Sequence, residues 1–434
     1  MIDLINKYED RIKDEYYSLL DITRDRVILH SDLNNFFASV EMQYNPTLKD
    51  VPMAIGGSEE ERHGIILAKN AIAKRFGVMT GEKIADAKRK CPELVICHTR
   101  YSEYVEYSRQ VREVYLKFTP LVEPFGIDEA WLDVTKLANR RNKGLFDSAF
   151  EIAEEVQNKV REETGLCVSI GVSFNKAFSK LASDMKKNSG IFVISPDNYK
   201  ETVWKLPVRN LLYVGKNTEE ILRQNRLFTL SDIVSRKRSY MYELFGKNGE
   251  NLWDYANGLD FSRVKEYAKE EKTDSISNSR TLPYDIYTFD ECQNVLRPIC
   301  ESVTERLRRR CLTCKTLKLY VRFGDLKSFT KQITFDIPTN SYYDIFDKTL
   351  GILRQTNISK PIRALGVCLD RFETEAFSTR EIITKENLKK HMLDRTEESL
   401  RNRFGDKILC RANAIEKREL SKFSKTHPAF NHNI

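Results

Sequence analysis

The sequence predicts an α+β protein of several domains, and three observations lead to that prediction. The chain has 434 residues, of which 41% are hydrophobic, enough for more than one buried core. Short apolar runs with the period of strands alternate with segments of helical spacing. Residues 1–274 contain 42 Lys and Arg against 43 Asp and Glu, whereas residues 275–434 contain 29 against 20. We therefore expect a nearly neutral body joined to a basic module that attracts a polyanion; a merely lysine-rich, solvated surface is the alternative.

The composition argues against membrane and secreted proteins. No apolar run approaches the roughly 18 residues that a membrane span requires. Charged residues such as Lys7 and Arg11 interrupt the N-terminus, which is unlike the apolar core of a secretory signal. Nine cysteines are few for this length and odd in number, which favours reduced thiols. We expect a cytoplasmic protein.

The N-terminal elements mix strands and helices. Residues 27–30 form a short apolar run typical of one buried strand, which ends at Asp32. Asn34 or Asn35 then provides an N-cap for a helix. The other elements predicted here are a polar N-terminal helix, two strands around a charged turn and a second helix, at residues 1–20, 51–55, 65–68 and 70–75.

The middle of the chain continues this mixed pattern. Residues 124–126 read Pro-Phe-Gly and signal a turn. Residues 128–134 alternate with the period of a strand. Residues 167–173 are a third strand candidate, and apolar residues at helical spacing follow them up to Met185. The polar stretch over residues 138–144 is expected to be a loop.

The basic third is predicted to be a separate module. Residues 265–279 are polar, lack periodicity and mark the change in charge, so we expect an interdomain linker there. An amphipathic helix over residues 291–310 and three alternating segments predict a small domain with its own sheet. The alternating segments are residues 316–323, 331–335 and 364–369, and a charged, largely helical stretch occupies residues 385–434.

Three carboxylates are candidates for metal binding. Asp32 lies where a buried strand ends, and Asp128 and Glu129 follow a turn much later in the chain. On neighbouring strands these carboxylates would converge and repel each other unless cations lay between them. Hard divalent ions such as Mg²⁺ prefer oxygen ligands, and two of them can support a phosphoryl transfer. Solvated acids at strand ends, without any metal, are the alternative.

Basic and aromatic residues accompany the carboxylates. Phe36 and Phe37 follow Asp32 closely, and a rigid aromatic side chain beside a nucleotide could exclude a 2′-hydroxyl by its shape. Adjacent aromatics on a helix also commonly fill a core. Two helices carry cations that could hold a triphosphate or could simply complement the helix dipole, namely Lys69, Lys74 and Arg75 on one and Lys180, Lys186 and Lys187 on the other.

Three segments resemble the motifs of the Y-family DNA polymerases, the DinB/UmuC translesion enzymes. Residues 28–41 resemble the first motif, residues 125–133 the second, acidic motif and residues 169–187 the third. The order and spacing agree, and the resemblance covers residues 25–385. It implies an error-prone, template-directed DNA polymerase that adds dNTPs to a primer 3′-hydroxyl in damage tolerance. The implied partners are primer–template DNA and dNTP, and the implied cofactors are two Mg²⁺ ions, for which Mn²⁺ is expected to substitute.

The resemblance also implies a right-hand architecture of palm, fingers and thumb plus a C-terminal α/β little-finger domain. A degraded helix-hairpin-helix element around Gly215 occupies the thumb position, where backbone amides would face DNA phosphates. The basic third falls on the little finger. The implied parts are an N-terminal extension at 1–24, the palm at 25–35 and 100–195, the fingers at 36–99, the thumb at 196–270, the little finger at 276–384 and a C-terminal tail at 385–434.

Individual roles follow from the matched positions. Asp32, Asp128 and Glu129 match the catalytic, metal-binding carboxylates of the family, with the Leu33 carbonyl as a further metal ligand. Phe37 matches the steric gate that excludes ribonucleotides. The implied nucleotide-binding residues are Leu33, Phe36, Phe37, Asn70, Lys74 and Lys187, and the implied DNA-binding residues are Gly215, Lys216, Arg280, Arg322 and Lys331.

Several positions depart from the family pattern. Asn34 replaces a frequent acid, Ala71 stands where many members have a triphosphate-binding tyrosine, and Gly126 replaces a common serine. None of these changes removes a metal carboxylate. A sliding clamp is a further candidate partner, but residues 370–378 contain no convincing clamp-binding peptide.

Two other functions stay open at this level. A nucleotidyl cyclase uses a similar palm, although a basic module behind a thumb-like segment argues against it. A non-catalytic DNA-binding or scaffold protein with a polymerase fold is the second alternative, against which the intact carboxylates argue. Cys311 and Cys314 have no second pair at zinc spacing, so we expect them to be structural. His30 is expected to be a core histidine rather than a base.

Overall fold

The computed structural model describes residues 25–57, 64–187, 189–267, 274–356, 360–374, 385–405 and 408. The predicted N-terminal helix and extension, the charged turn after the second strand and the end of the tail lie outside the described residues. So do residues 375–378 of the segment searched for a clamp peptide. Within the described part, helices combine with three sheets, which confirms the α+β prediction.

The N-terminal part contributes one long strand and a small sheet. Asn35 precedes the first helix with a left-handed φ of 49°, but its side chain makes no capping hydrogen bond. In the small sheet, β2 (Met53–Gly56) pairs antiparallel with β3 (Ile66–Lys69) and parallel with β4 (Val95–Cys97). The other elements are β1 (Ile28–Leu33), α1 (Phe36–Tyr44), α2 (Ala71–Arg75), α3 (Ile84–Lys90) and α4 (Tyr101–Leu116).

The middle of the chain completes a five-stranded sheet around β1. Its elements are β5 (Val122–Phe125), β6 (Glu129–Asp133), α5 (Thr135–Ala138), α6 (Leu145–Thr164), β7 (Val168–Ser173), α7 (Lys176–Met185) and β8 (Ile191–Ile194). The strand order is β5-β6-β1-β7-β8. All six residues of β1 are buried, because it is the central strand and helices cover both faces. The loop predicted over residues 138–144 follows α5.

The turn predicted at residues 124–126 is wrong in part. Pro124 lies inside β5, where it is tolerated because β5 is an edge strand of the sheet. The chain turns at Gly126 instead, with a φ of 80° that favours glycine.

A helical region follows the five-stranded sheet. Its elements are α8 (Tyr199–Val203), α9 (Lys216–Gln224), α10 (Leu230–Val234), α11 (Arg238–Phe245) and α12 (Lys247–Ala256). Its apolar core includes Phe174 and Phe178, so it continues into the sheet unit through α7. Thr229 and Asp232 form a capping box at the start of α10, which fixes that helix start by satisfying free backbone N–H groups.

The basic third forms a four-stranded sheet of β9 (Ser275–Ile286), β10 (Leu312–Phe323), β11 (Ser328–Thr339) and β12 (Ile362–Thr374), in the order β11-β10-β12-β9. Its core joins the apolar face of this sheet to two helices, α13 (Phe289–Arg309) and α14 (Tyr342–Arg354). Residues 275–279, predicted as linker, belong to β9; the prediction failed because Ile276 is the one apolar residue in a Ser-Ile-Ser-Asn-Ser run. Helix α15 (Lys385–Phe404) follows further along the chain.

The tail helix α15 packs on this basic module. Asp394 is buried and accepts a hydrogen bond of 3.1 Å from the backbone N–H of Tyr342, the first residue of α14. Arg308 of α13 pairs with Glu398 at 3.1 Å. The predicted helical tail is therefore helical over its first 20 residues. None of the helices in the described part combines the length and apolar character that crossing a bilayer demands.

Candidate active site

Strand register brings the three candidate carboxylates to one end of the sheet. Asp32, near the end of β1, pairs directly with Glu129, the first residue of β6. The side chains of directly paired residues lie on the same face of a sheet. Asp128 precedes β6, and its carbonyl accepts a hydrogen bond of 3.0 Å from the backbone N–H of Leu33. The Asp128 and Leu33 backbones are thus fixed beside the Asp32 carboxylate.

Burial and mutual repulsion perturb these carboxylates. Burial, together with the negative charges of Glu129 and Asp32, raises the pKa of Asp128 to about 7. Burial also raises the pKa of Asp32 against the opposing effect of Lys187. Burial would raise the pKa of Glu129 as well, but the His30 ring and the charge of Lys180 outweigh burial and hold that pKa near 2. A group of acids that is partly shielded from solvent and has such shifted pKa values is typical of a functional site.

Two lysines of α7 and the turn after it neutralise part of this charge. Lys187 forms an ion pair with Asp32 and a second one of 2.7 Å with Asp184. Lys180 Nζ lies 2.5 Å from a carboxylate oxygen of Glu129. Within the described ranges, no three His, Cys, Asp or Glu side chains form a ready-made metal-binding group. The carboxylate oxygens nevertheless fit a divalent cation. The pKa values of Asp32 and Asp128 are raised, so the neighbouring lysines do not fully compensate the negative charge of these two groups.

The two phenylalanines after Asp32 are both buried in the core around α1. The Phe37 ring stacks on the ring of Tyr104 in α4, with centroids 4.2 Å apart and planes 13° from parallel. The Tyr104 hydroxyl donates a 2.7 Å hydrogen bond to Glu41, one helical turn after Phe37. Arg100 also binds Glu41. Phe37 is thus a rigidly supported ring in the helix that follows Asp32, and its role as a steric gate stays a prediction.

Asn70 and Lys74 lie with α2, beside the three-stranded sheet. The Asn70 side chain caps α2 by accepting a 2.9 Å hydrogen bond from the backbone N–H of Ala73, and it donates to the carbonyl of Val51 at 2.7 Å. Its amide is therefore engaged within the protein itself. Lys74 is exposed. The structure does not bring either side chain into contact with the carboxylates, and their nucleotide-binding roles stay predictions.

The candidate DNA-binding residues fall into three settings. Gly215 and Lys216 begin α9, where backbone N–H groups point outwards from a helix N-terminus. In the four-stranded sheet, Arg322 follows the core residue Val321 along β10 and so lies on the face away from the helices. Arg280 pairs with Leu365, and Lys331 pairs with Leu319. Both leucines belong to the core, so these two basic residues lie on the side of the sheet that the helices cover. All five DNA contacts stay predictions.

The sequence indicated some groups of the site only weakly. His30 is fully buried as expected, but its ring lies between Ser183 and Glu129. Lys180 was a candidate for a triphosphate, whereas it pairs with Glu129. The stacking partner Tyr104 gave no signal at all, because it lies in a separate helix far along the chain. The contact of His30 with the site had one sequence signal: His30 lies two residues before Asp32 and therefore on the same face of β1.

Two models of known protein families match this chain. Residues 31–184 match the family described as impB/mucB/samB, and residues 273–381 match the C-terminal domain of the same family. The first match contains Asp32, Asp128 and Glu129, and the second covers the basic module.

Individual relatives extend over nearly the whole chain. The DNA polymerase IV of Acetivibrio thermocellus is 39% identical over 92% of this chain and 99% of its own length. The DNA polymerase IV 2 of Bacillus subtilis is 32% identical over 90% of this chain and 95% of its own length. A solved Y-family DNA polymerase chimera has a similar fold, with a TM-score of 0.71 and 22% identity over 80% of this chain and 99% of that structure. The chain therefore belongs to the impB/mucB/samB family, the DinB-like branch of the Y-family DNA polymerases.

Proposed function

We propose that this chain is a template-directed DNA polymerase of the translesion class, which joins dNTPs to a primer 3′-hydroxyl and releases pyrophosphate. The observation that carries the proposal is the direct pairing of Asp32 with Glu129 beside Asp128, in a chain that matches DNA polymerase IV over 92% of its length. A scaffold that only bound DNA would have no use for Asp32 and Asp128 at this place, because their raised pKa values mean that the fold disfavours their ionised forms.

Polymerases of this family need divalent metal ions, and we infer that Mg²⁺ is the ion, that two are used and that Mn²⁺ substitutes. Asp32 and Asp128 would hold both ions, Glu129 would favour the one at the primer, and the Leu33 carbonyl would be a further ligand. When bound, such ions activate the 3′-hydroxyl and stabilise the leaving group.

The remaining groups of the site would bind and orient the substrates. Lys187 forms an ion pair with Asp32 in this structure. Its flexible side chain could turn to the triphosphate when a metal ion compensates the charge of the Asp32 carboxylate. Lys74 would add a second cation, and together they would stabilise charge that develops on the phosphates. The stacked Phe37 ring would exclude a 2′-hydroxyl. Primer–template DNA would lie along the basic module and the start of α9.

One substitution tests the proposal directly. Asp128→Asn should abolish primer extension while DNA binding stays nearly unchanged, because the grip on DNA comes from phosphate contacts elsewhere. Asp133→Asn is the matched control: the same chemical change at the opposite end of β6, where the Asn side-chain oxygen can still accept the hydrogen bond from the Thr135 N–H. Primer extension and DNA affinity are measured for both variants. Metal-dependent extension by pure Asp128→Asn would contradict the proposed site.

A further inference from the structure

Helix α7 lies very close to the five-stranded sheet, and Gly171 makes this possible. A Cβ atom at position 171 would lie 1.9 Å from the carbonyl oxygen of Ser179 and 2.3 Å from the backbone nitrogen of Ser183. No side chain other than hydrogen fits in that space. The close approach brings Ser183 and Lys180 within hydrogen-bonding distance of side chains on β1 and β6. It therefore decides which groups surround the Glu129 carboxylate.

His30 occupies the gap between α7 and this carboxylate. Its Nδ1 lies 2.8 Å from Ser183 Oγ, and its Nε2 lies 3.2 Å from a carboxylate oxygen of Glu129. The edge-on ring of Trp131, with centroids 5.4 Å apart, holds the imidazole from a third side. Across the described residues, Nε2 forms no well-formed hydrogen bond, although the Glu129 carboxylate faces it at 3.2 Å. Such contacts commonly tighten only in the substrate-bound complex.

The proton on the imidazole follows from what each neighbour can accept. Ser183 has one hydroxyl proton, which can go either to the carbonyl of Lys180 at 2.8 Å or to His30 Nδ1. In the first arrangement Nδ1 donates to Ser183, and the lone pair of Nε2 then faces the carboxylate, which is repulsive. In the second, Ser183 donates to Nδ1 and Nε2–H donates to Glu129. An ionised carboxylate only accepts, so the second arrangement is favoured.

We propose that His30 is a positioning residue for the polymerase reaction: Ser183 fixes its tautomer, and its Nε2–H orients the Glu129 carboxylate for metal binding. The inference rests on the proposed function, in which Glu129 is a metal ligand. Lys180 contacts the same carboxylate oxygen as His30, Oε2, so His30 supplies the direction that a flexible lysine does not. Outer partners of metal ligands typically change metal affinity about 10- to 100-fold when removed.

The test measures metal binding without turnover. The full-length protein is bound to a dideoxy-terminated primer–template with the correct dNTP, and Mn²⁺ binding is followed by electron paramagnetic resonance. His30→Leu should weaken Mn²⁺ binding at least about tenfold, and Ser183→Ala should weaken it by less. His30→Gln, whose amide N–H can reach Glu129, should restore most of the affinity. If His30 only fills the core, the three variants should have lower thermal stability but should not differ in Mn²⁺ affinity in this order.

Two further variants separate the possible failures. Val172→Ala removes buried volume from the neighbouring strand β7 and should lower the melting temperature without changing Mn²⁺ affinity. Glu129→Gln should weaken Mn²⁺ binding. If Glu129→Gln does so but His30→Leu and Ser183→Ala bind Mn²⁺ like the parent protein, the positioning role is overturned and the proposed site stands. If Glu129→Gln also binds Mn²⁺ normally, the metal assignment and the inference fall together. Should His30→Leu not fold, Ser183→Ala decides. Weaker Mn²⁺ binding than in His30→Gln supports the positioning role, and Mn²⁺ binding equal to that of the parent protein overturns it.

Discussion

At the scale of single residues, the proposed role of Phe37 as a steric gate depends on how its ring is supported. A side chain that rejects a 2′-hydroxyl by shape must not move aside, and Phe37 is held by a stacked partner whose own hydroxyl is tied to Glu41. Glu41 is tied in turn to Arg100. The selectivity of such a gate therefore depends on residues that never touch the nucleotide.

Phe37→Ala should admit ribonucleotides while retaining part of the dNTP activity. Removing the ring removes the clash with the 2′-hydroxyl, and we expect the preference for dNTP over rNTP to fall by about 100-fold. The measurement is the kcat/KM of single-nucleotide insertion for matched dNTP and rNTP. Phe36→Leu, at the buried neighbouring position, controls for lost packing. A Phe37→Ala protein that rejects rNTPs as strongly as the parent would show that Phe37 is a core aromatic.

The residues of the site were predictable to the extent that their signals are local. Asp32 ends an apolar run, and Asp128 and Glu129 follow a turn, so strand-end positions could be read along the chain. The contact between His30 and Ser183 joins residues 153 positions apart and depends on the missing side chain of Gly171. No sequence period encodes such a contact, because it arises from how closely a helix approaches a sheet.

At the scale of elements, the helix pair α11–α12 depends on one close approach. A Cβ atom at Gly249 would lie 1.8 Å from the carbonyl oxygen of Met241. A Cβ atom and a backbone carbonyl oxygen both have positions that the backbone fixes, so no change of side-chain rotamer relieves this contact. The two helices can pack at their observed distance only with glycine at this position.

Gly249→Ala should destabilise the protein by about 3 kcal/mol, because the helices must separate and leave their core imperfectly packed. Gly351→Ala is the matched control: Gly351 lies within α14 with open space around its Cβ position. It should stabilise that helix by about 0.5–1 kcal/mol through its higher helix propensity. Thermal or denaturant unfolding checks both values. Equal stability of the two variants would contradict the packing argument.

Strong periodicity made most elements predictable, and its absence explains the misses. The strands over 316–323, 331–335 and 364–369 alternate clearly, and all three were confirmed within longer strands. Strand β9 begins with serines that face away from the core, so its hydrophobic signal is too weak to separate from a linker. The supposed turn at Pro124 was misread because a proline is compatible with an edge strand, and sequence alone does not reveal which strand is at the edge.

At the scale of the whole molecule, the uneven charge coincides with a separate core. The module from residue 275 onward has its own apolar cluster, while the remaining sheets and helices enclose others. The excess of basic residues therefore belongs to the part of the sequence that contains this separate core, rather than being spread evenly along the chain. This arrangement allows the unit to be removed while the rest keeps its cores.

Deleting residues 275–434 should weaken primer–template binding sharply and flatten its salt dependence. The deleted part contains 29 Lys and Arg against 20 Asp and Glu, and the remainder contains 42 against 43. On duplex DNA the logarithm of affinity falls with the logarithm of salt concentration by about 0.9 per neutralised phosphate. DNA affinity at several salt concentrations gives this slope for both proteins, and circular dichroism establishes that residues 1–274 stay folded. An unchanged slope would assign DNA binding to the remaining body.

The central position of β1 also has a consequence during synthesis. The strand that carries Asp32 is made first, yet it pairs with β6 on one side and β7 on the other, and both are translated much later. At roughly 5–20 residues per second, the ribosome needs on the order of ten seconds to deliver β7 after β1. During that interval an apolar segment waits without partners, and long-range pairing of this kind folds slowly. The segment that carries Asp32 is therefore exposed to non-native contacts until β6 and β7 have been made.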